Sequence, residues 1–279
     1  MRVSDISIYP VKGVRGVSLD AARVEARGLA DDRRWIVTDE TGAFLSQRNC
    51  EKLAQINADS AGDTLTLSCE DLSVSIQAPA AVERAPVTVW NDIVNAVAAG
   101  SEADEWLTRA LGRAARLWFM DDKAARTTSG KWGEKNPVSF ADGYPLLIAN
   151  AASLKALNAE IEKNGGAPVG MDRFRPNIVI DGADPWAEDC WKALQIGDVV
   201  VELQKPCVRC EVTTRDQKTG ERMGKEPLAT LARIRRAAHP KINGVLFGVN
   251  AVINQSGTMR SGDLVSILDS RAAPWPVAK

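Results

Sequence analysis

A single histidine, His239, is all the imidazole in this 279-residue sequence, and no run of about 18 apolar residues occurs in it. His239 lies in the polar stretch RRAAHPKING, a poor setting for a proton donor. The N-terminus, MRVSDISIYPVKG, lacks the apolar core of a signal peptide, which predicts a cytoplasmic protein that does not cross a membrane. Charge of one sign is not in excess either: 35 Lys and Arg stand against 36 Asp and Glu. With no global field to draw in a polyanion and no local basic patch, nucleic-acid binding is not expected. The five cysteines (Cys50, Cys69, Cys190, Cys207 and Cys210) are odd in number and scattered, so a disulfide framework does not fit and reduced thiols are predicted.

What is present is an ordinary globular composition, 45% hydrophobic and 25% charged, long enough for two packed domains. The segments RVSDISIYPV, LDAARVEARGL, RRWIVTD, DTLTLSC and LSVSIQAP alternate and carry β-branched residues, with turn signals at 39–42 and 61–63, and they predict antiparallel strands. SEADEWLTRALG, from Ser101, has helical apolar spacing, acidic residues in its first turn and a closing glycine. The polar, glycine-containing segment 121–138 reads as a domain boundary. Beyond it, Leu154, Leu157 and Ile161 predict a helix ending near Gly165, capped by Asn150 or Ser153. FRPNIVIDG, IGDVVVELQKPC, VLFGVNAVI and DLVSIL predict more strands, the last two linked by a turn in NQSGTMRSGD. The reading is a mixed, β-rich α+β protein: a β-barrel-like domain at 1–120, a second closed barrel with one or two outer helices at 121–270, and a tail at 271–279.

The densest chemistry lies in KPCVRCEVTTRDQKTG, residues 205–220. A thioredoxin-type Cys-x-x-Cys needs its first thiol at a helix N-terminus, and the β-branched EVTT that follows argues against one. Zinc needs about four N or S ligands, and outside the pair only three cysteines and His239 remain. A third reading is a soft, high-valent metal that brings most of its own ligands, so that one protein thiolate completes its shell. Molybdenum held by a pterin dithiolene meets that description. Lys205 and Arg209 would favour the thiolate if their side chains point toward it. Both cysteines also suit plain burial as small apolar side chains.

This segment, followed by KEPLATL, with FRPNIVI upstream and FGVNAVI and GTMRSGDLV downstream, resembles the MOSC domain, the C-terminal domain of the molybdenum-cofactor sulfurases. IYPVKGVRGVSLDAARVEARGLADDRRWIVTDETGAFLSQR resembles the β-barrel domain that precedes MOSC in the amidoxime-reducing component and its bacterial YcbX-like relatives. The resemblance implies that Cys210 is the metal ligand and Cys207 its neighbour. It places Lys12 of YPVK at the cofactor, with Gly13 where mammalian relatives carry serine, so one side-chain hydrogen bond is missing. Arg33 would reach the cofactor from the first domain, Arg175 and Asn177 of FRPN would add contacts, and Asp142 of FADGYP would line the same pocket as a catalytic candidate. Cationic and amide groups suit a pterin's anionic phosphate and polar ring edges. Taken singly, the cations also suit surface ion pairs, and Asn177 and Asp142 also suit turn caps.

The activity implied by the resemblance is molybdenum-dependent reduction of N-hydroxylated compounds (amidoximes, hydroxylamines and N-hydroxylated bases), with water or Asp142 as proton source. A plant-type [2Fe-2S] centre needs C-x₄-C-x₂-C, a spacing not found here, so a separate ferredoxin or flavin reductase is expected to supply electrons. The alternative is a carrier of the molybdenum cofactor, or of a persulfide on Cys210, for another enzyme. Pyridoxal phosphate, associated with the sulfurases, finds no lysine in a Schiff-base context. A third possibility is a β-barrel interaction protein without catalysis.

Overall fold

The computed structural model describes residues 1–80 and 83–278. The first part forms strands β1 (Arg2–Ile8), β2 (Val17–Leu19), β3 (Ala21–Glu25), β4 (Gly28–Leu29), β5 (Trp35–Thr38), β6 (Asn57–Ala61), β7 (Thr64–Cys69), β8 (Leu72–Gln77), β9 (Arg84–Val89) and β10 (Asp92–Ala98), then helix α1 (Ser101–Leu111) and β11 (Arg116–Phe119). In β7 every second side chain is buried, the alternation that TLTLSC predicts for a strand with one face on a core. In α1, Ala103, Trp106, Leu107 and Leu111 fall on one buried face, and Gly112 ends the helix in the left-handed region at φ +69°. That face closes the first core, where Trp106 and Leu107 pack with Trp35, Leu53, Leu65 and Leu67. Each such burial stabilises by roughly 1.5–3 kcal/mol.

The second part adds β12 (Leu146–Asn150), α2 (Ala151–Lys163), β13 (Ile178–Asp181), β14 (Trp191–Ile196), β15 (Val199–Arg209), α3 (Leu228–Ile234), β16 (Val245–Gln255), β17 (Gly257–Arg260) and β18 (Val265–Ser270). The cap of α2 is Asn150, whose side chain accepts from Ala152 N. Eight strands form one sheet in the order β18-β14-β15-β16-β12-β13-β1-β2. Only β12 and β13, joined through α2, run parallel within it. The sheet rolls until Arg2 bridges Leu264 and Val265 N donates to Met1 O at 3.0 Å, so backbone bonds close it toward a barrel. Its interior holds Ile6, Ile148, Ile178, Leu194, Val201 and Val249. Helices α2 and α3 cover a separate cluster around the stacked rings of Phe174 and Phe247.

Two features depart from the sequence reading. The segment expected as a plain turn after VLFGVNAVI contains β17, which pairs with β3 through Met259 and Ala22. GTMR is too short to show alternation, and its partner lies at the other end of the chain. The two parts are also laced together, since β1 and β2 complete the large sheet. Segment 121–138 does more than connect them: Arg126, buried, donates to Asp92 Oδ2 at 2.8 Å, to Ser139 O at 2.9 Å and to Ala141 O.

Candidate functional site

The six residues singled out in the sequence, Lys12, Arg33, Asp142, Arg175, Asn177 and Cys210, line one cavity with about 870 Å³ of empty space, part of it open to solvent. Lys12 is placed by the bend after β1, where its N–H donates to Trp35 O at 2.8 Å. Arg33 and Arg175 both sit in the left-handed region, at φ +51° and +53°. Such backbone is strained for a side-chain-bearing residue and persists only when its surroundings hold it. Here they do: Arg33 N donates to Tyr9 O at 2.8 Å, and Arg33 O accepts from Phe140 N at 2.9 Å.

The two guanidiniums share one aromatic ring. Arg33 Cζ lies 4.3 Å and Arg175 Cζ 4.1 Å from the centroid of Tyr9, whose hydroxyl donates to Pro176 O at 3.1 Å. Burial pushes the Tyr9 phenol up to about 12 and pulls Arg175 down to about 10, which leaves the phenol neutral and the guanidinium charged at pH 7. Burial also opposes the charge of Arg33, but the Asp32 carboxylate, 2.6 Å from Nη1, outweighs it and raises this group. Arg175 donates to Gln217 Oε1 at 3.1 Å and to Val14 O at 2.7 Å. Gln217 in turn exchanges amide hydrogen bonds with Gln47 at 3.1 and 3.0 Å. Gln47 and Gln217 sat inside the motifs FLSQR and RDQKTG, yet nothing in either motif marked them as partners.

Asn177, 1% exposed, spends its amide on architecture. Its Oδ1 accepts from Leu147 N at 3.1 Å and Arg33 Nη1 at 3.3 Å, and its Nδ2 donates to Ser7 O at 3.2 Å. Lys12 Nζ is bonded to Asp142 Oδ1, and the Trp90 indole donates to the same oxygen at 3.3 Å. Burial lowers the Lys12 ammonium from its ordinary value, and Asp142 partly restores it. The Asp142 side chain is exposed, and the Lys12 ammonium bonded to it and the Arg33 guanidinium hold its carboxyl well below the usual carboxylate range. Asp142 is therefore ionised at neutral pH and accepts hydrogen bonds; it is not a carboxylic acid able to release a proton, as the sequence reading allowed.

Cys210 directly follows β15 and opens the 3-10 turn Glu211–Thr214, with Thr213 N and Oγ1 donating to its carbonyl at 3.1 and 2.8 Å. It is exposed, and its Sγ makes no hydrogen bond among the described residues. The expectation that Lys205 and Arg209 favour its thiolate is corrected. Lys205 Nζ lies 5.6 Å over the Tyr144 ring, and Arg209 Nη1 donates to Cys207 Sγ at 2.8 Å. Alternation along the strand turns residues 207 and 209 to the same side. Arg209 Nη2 donates to Phe174 O at 2.7 Å, and its buried Nε has no partner among the described residues. Arg209, Arg48, Trp90 and Phe44 also line the cavity, and sequence reasoning did not single them out for it.

Residues 135–266 match the MOSC domain, and residues 1–114 match the MOSC N-terminal beta barrel domain. Mitochondrial amidoxime-reducing component 1 of Homo sapiens is 34% identical over 95% of this chain and 82% of its own length. The chain belongs to the MOSC family. Mitochondrial amidoxime reducing component 2 of Bos taurus is similar at 32% identity over 94% of this MOSC chain and 82% of its own length. Molybdenum cofactor sulfurase of Drosophila mojavensis is 31% identical over 96% of this chain, which spans 32% of that longer protein. Among the described residues no helix of this MOSC protein is long and apolar enough to cross a membrane. Nor does any group of three or more His, Cys, Asp and Glu come together there to hold a metal ion.

Proposed function

We propose that this MOSC protein is a molybdenum-cofactor-dependent reductase of N-hydroxylated compounds: amidoximes, hydroxylamines and N-hydroxylated bases. The observation that carries the reading is the convergence on one cavity of an exposed, unbonded thiol, Cys210, with Lys12, Arg33, Arg175 and Arg209. The donor set fits such a group. A single thiolate cannot hold a metal ion alone, so the metal must arrive with other sulfur or oxygen ligands, as a pterin dithiolene provides. The unpartnered Arg209 Nε is a buried donor that an anionic or carbonyl acceptor would satisfy. Cys210 would ligate molybdenum, and Lys12, Arg33 and Arg175, with Asn177 holding Arg33, would bind phosphate and ring edges. When bound, the cofactor supplies two-electron redox chemistry.

The conversion balances as R–NHOH + 2 e⁻ + 2 H⁺ → R–NH₂ + H₂O. Within the chain, Lys12 is the better-placed proton holder, since its ammonium is made more acidic by burial and is oriented by Asp142. His239 packs between Trp132 and Trp275, at 5.3 and 5.7 Å, and is not part of the cavity wall. The first part of the chain brings Lys12 and Arg33, and the second brings Asp142, Arg175 and Cys210, so the site needs both. Electrons would come from a separate ferredoxin or flavin reductase in a reducing compartment, the cytoplasm. The test is turnover: cofactor-loaded protein given a chemical electron donor should convert benzamidoxime to benzamidine. Inertness with molybdenum bound overturns the reading.

The second reading, a carrier of the cofactor or of sulfur on Cys210, is favoured by the exposure of that thiol and by the likeness to part of the sulfurase. An intact-mass gain of one sulfur on Cys210, without turnover, would select it.

A further inference from the structure

We propose that Arg48 and Trp90 form a subsite that receives the far, anionic end of a planar N-hydroxylated substrate; this rests on the reductase reading above and names the kind of molecule the cavity selects. Each of the other cations of the cavity wall has a side-chain or backbone partner among the described residues, although Arg209 keeps its Nε unpaired. Lys12 is bonded to Asp142, and Arg33 to Asp32 at 2.6 Å. Arg175 is bonded to Gln217 and Val14 O, and Arg209 to Cys207 and Phe174 O. Arg48 differs from them. Its guanidinium lies over the Trp90 ring, Cζ 4.5 Å from the centroid, and its side chain makes no hydrogen bond or ion pair among the described residues.

A half-buried guanidinium with five unused N–H donors on an aromatic plane presents a flat fork that matches a carboxylate or phosphate. Among the described residues Asp142 is the one acidic side chain lining the wall, and it is paired with Lys12. The wall therefore carries net positive charge even after its internal pairs are formed.

The platform under Arg48 is a restrained and partly exposed aromatic ring. Trp90 occupies the two-residue turn between β9 and β10 in the left-handed region, at φ +57°. A tryptophan holds that strained backbone only where its side chain is restrained. Two restraints are present: its indole N–H donates to Asp142 at 3.3 Å, and Phe44 meets it edge to face at 5.0 Å. Trp90 nevertheless stays 42% exposed, which leaves apolar ring surface for a flat ligand. A substrate with its N–OH group toward Cys210 would lay its aromatic body on Trp90 and its carboxylate or phosphate in the Arg48 fork.

The same fork would also accept the phosphate of a cofactor, and the experiment separates the two sources. Cofactor-loaded wild type, Arg48→Gln and Arg48→Lys are assayed with benzamidoxime and 4-carboxybenzamidoxime, their molybdenum content is measured, and binding of 4-amidinobenzoate and benzamidine is followed by calorimetry. In wild type the carboxylate should tighten binding by about tenfold, near 1.4 kcal/mol. In Arg48→Gln that advantage, and the matching preference in kcat/KM, should vanish through KM with molybdenum content unchanged. Arg48→Lys should restore part of it, since an ammonium supplies charge without the fork. An equal preference in wild type and Arg48→Gln overturns the subsite. Loss of molybdenum in Arg48→Gln also overturns it, by assigning the fork to the cofactor. Absence of turnover in wild type would instead sink the reductase reading, while calorimetry still decides the subsite.

Discussion

Lys12 and Asp142, 130 positions apart in the chain, are joined nitrogen to oxygen in the cavity wall. The bond links the bend after β1 to the segment that Arg126 anchors, so each part of the chain sets the charge state of the other. Asp142→Asn removes the carboxylate that counters the burial of Lys12, and the ammonium should become more acidic still. The basic limb of the kcat profile is expected to move to lower pH. A pH–rate profile unchanged in Asp142→Asn would show that Lys12 carries no proton in the reaction.

The two cysteines of the KPCVRC segment should separate cleanly. Cys210 is exposed with an unbonded sulfur, whereas Cys207 accepts from Arg209. Cys210→Ser is expected to lose molybdenum and activity. Cys207→Ser keeps a hydrogen-bond acceptor and should retain metal, with activity lowered by about tenfold, the lower end of the range for residues that support a ligand. Elemental analysis of both variants checks this, and metal retained in Cys210→Ser would remove the assignment.

Glu188 offers a test of stability against pH. It is 1% exposed; Oε2 accepts from Asn150 Nδ2 at 2.9 Å and Ser153 Oγ at 2.8 Å, while Oε1 has no partner among the described residues. Burial pushes its pKa up. The folded state thus holds this proton more tightly than the unfolded chain, and the contribution present at low pH is lost as pH rises through the raised folded value. Glu188→Gln avoids a buried charge and is expected to be more stable by about 1 kcal/mol at pH 8. The gain should shrink toward pH 4. Thermal melts of both proteins across that range measure it.

Gly220 closes the turn that carries Gln217. Its φ is +79°, and a Cβ placed there would lie 2.2 Å from Glu51 O, so alanine would force the turn off the first part of the chain. Gly220→Ala should cost about 2 kcal/mol or more. Gly62→Ala, at φ +60° with nothing within 4 Å, is the control and should cost only about 1 kcal/mol. Equal melting temperatures for the two variants would show that the contact with Glu51 is not maintained in solution.

Much of the architecture follows from local pattern. TLTLSC and LSVSIQ announce β7 and β8, SEADEWLTRALG announces α1, and Asn150, one of the two caps the sequence offers, starts α2. Other elements escaped notice: β9 carries Pro86 in mid-strand, β10 and the strand WKALQI (β14) have apolar positions on more than one face, and β11 and helix α3 are short. Resemblance to known motifs supplied Lys12, Arg33, Asp142, Arg175, Asn177 and Cys210, and these six do meet at one cavity. It did not show that Arg209 turns to Cys207, or that Arg48 lies on Trp90.

By itself, then, the sequence determined which segments alternate, where helices begin and stop, and which side chains can carry charge or bind a soft metal, because those properties reside in a few neighbouring residues. The tertiary structure alone decided that β1 joins the strands of the second part, that β17 pairs with β3, and which partner each guanidinium takes. Strand pairing and side-chain direction are settled by packing between distant segments; burial then makes Lys12 more acidic by removing water from around it, and the cations packed beside Asp142 hold that carboxylate ionised.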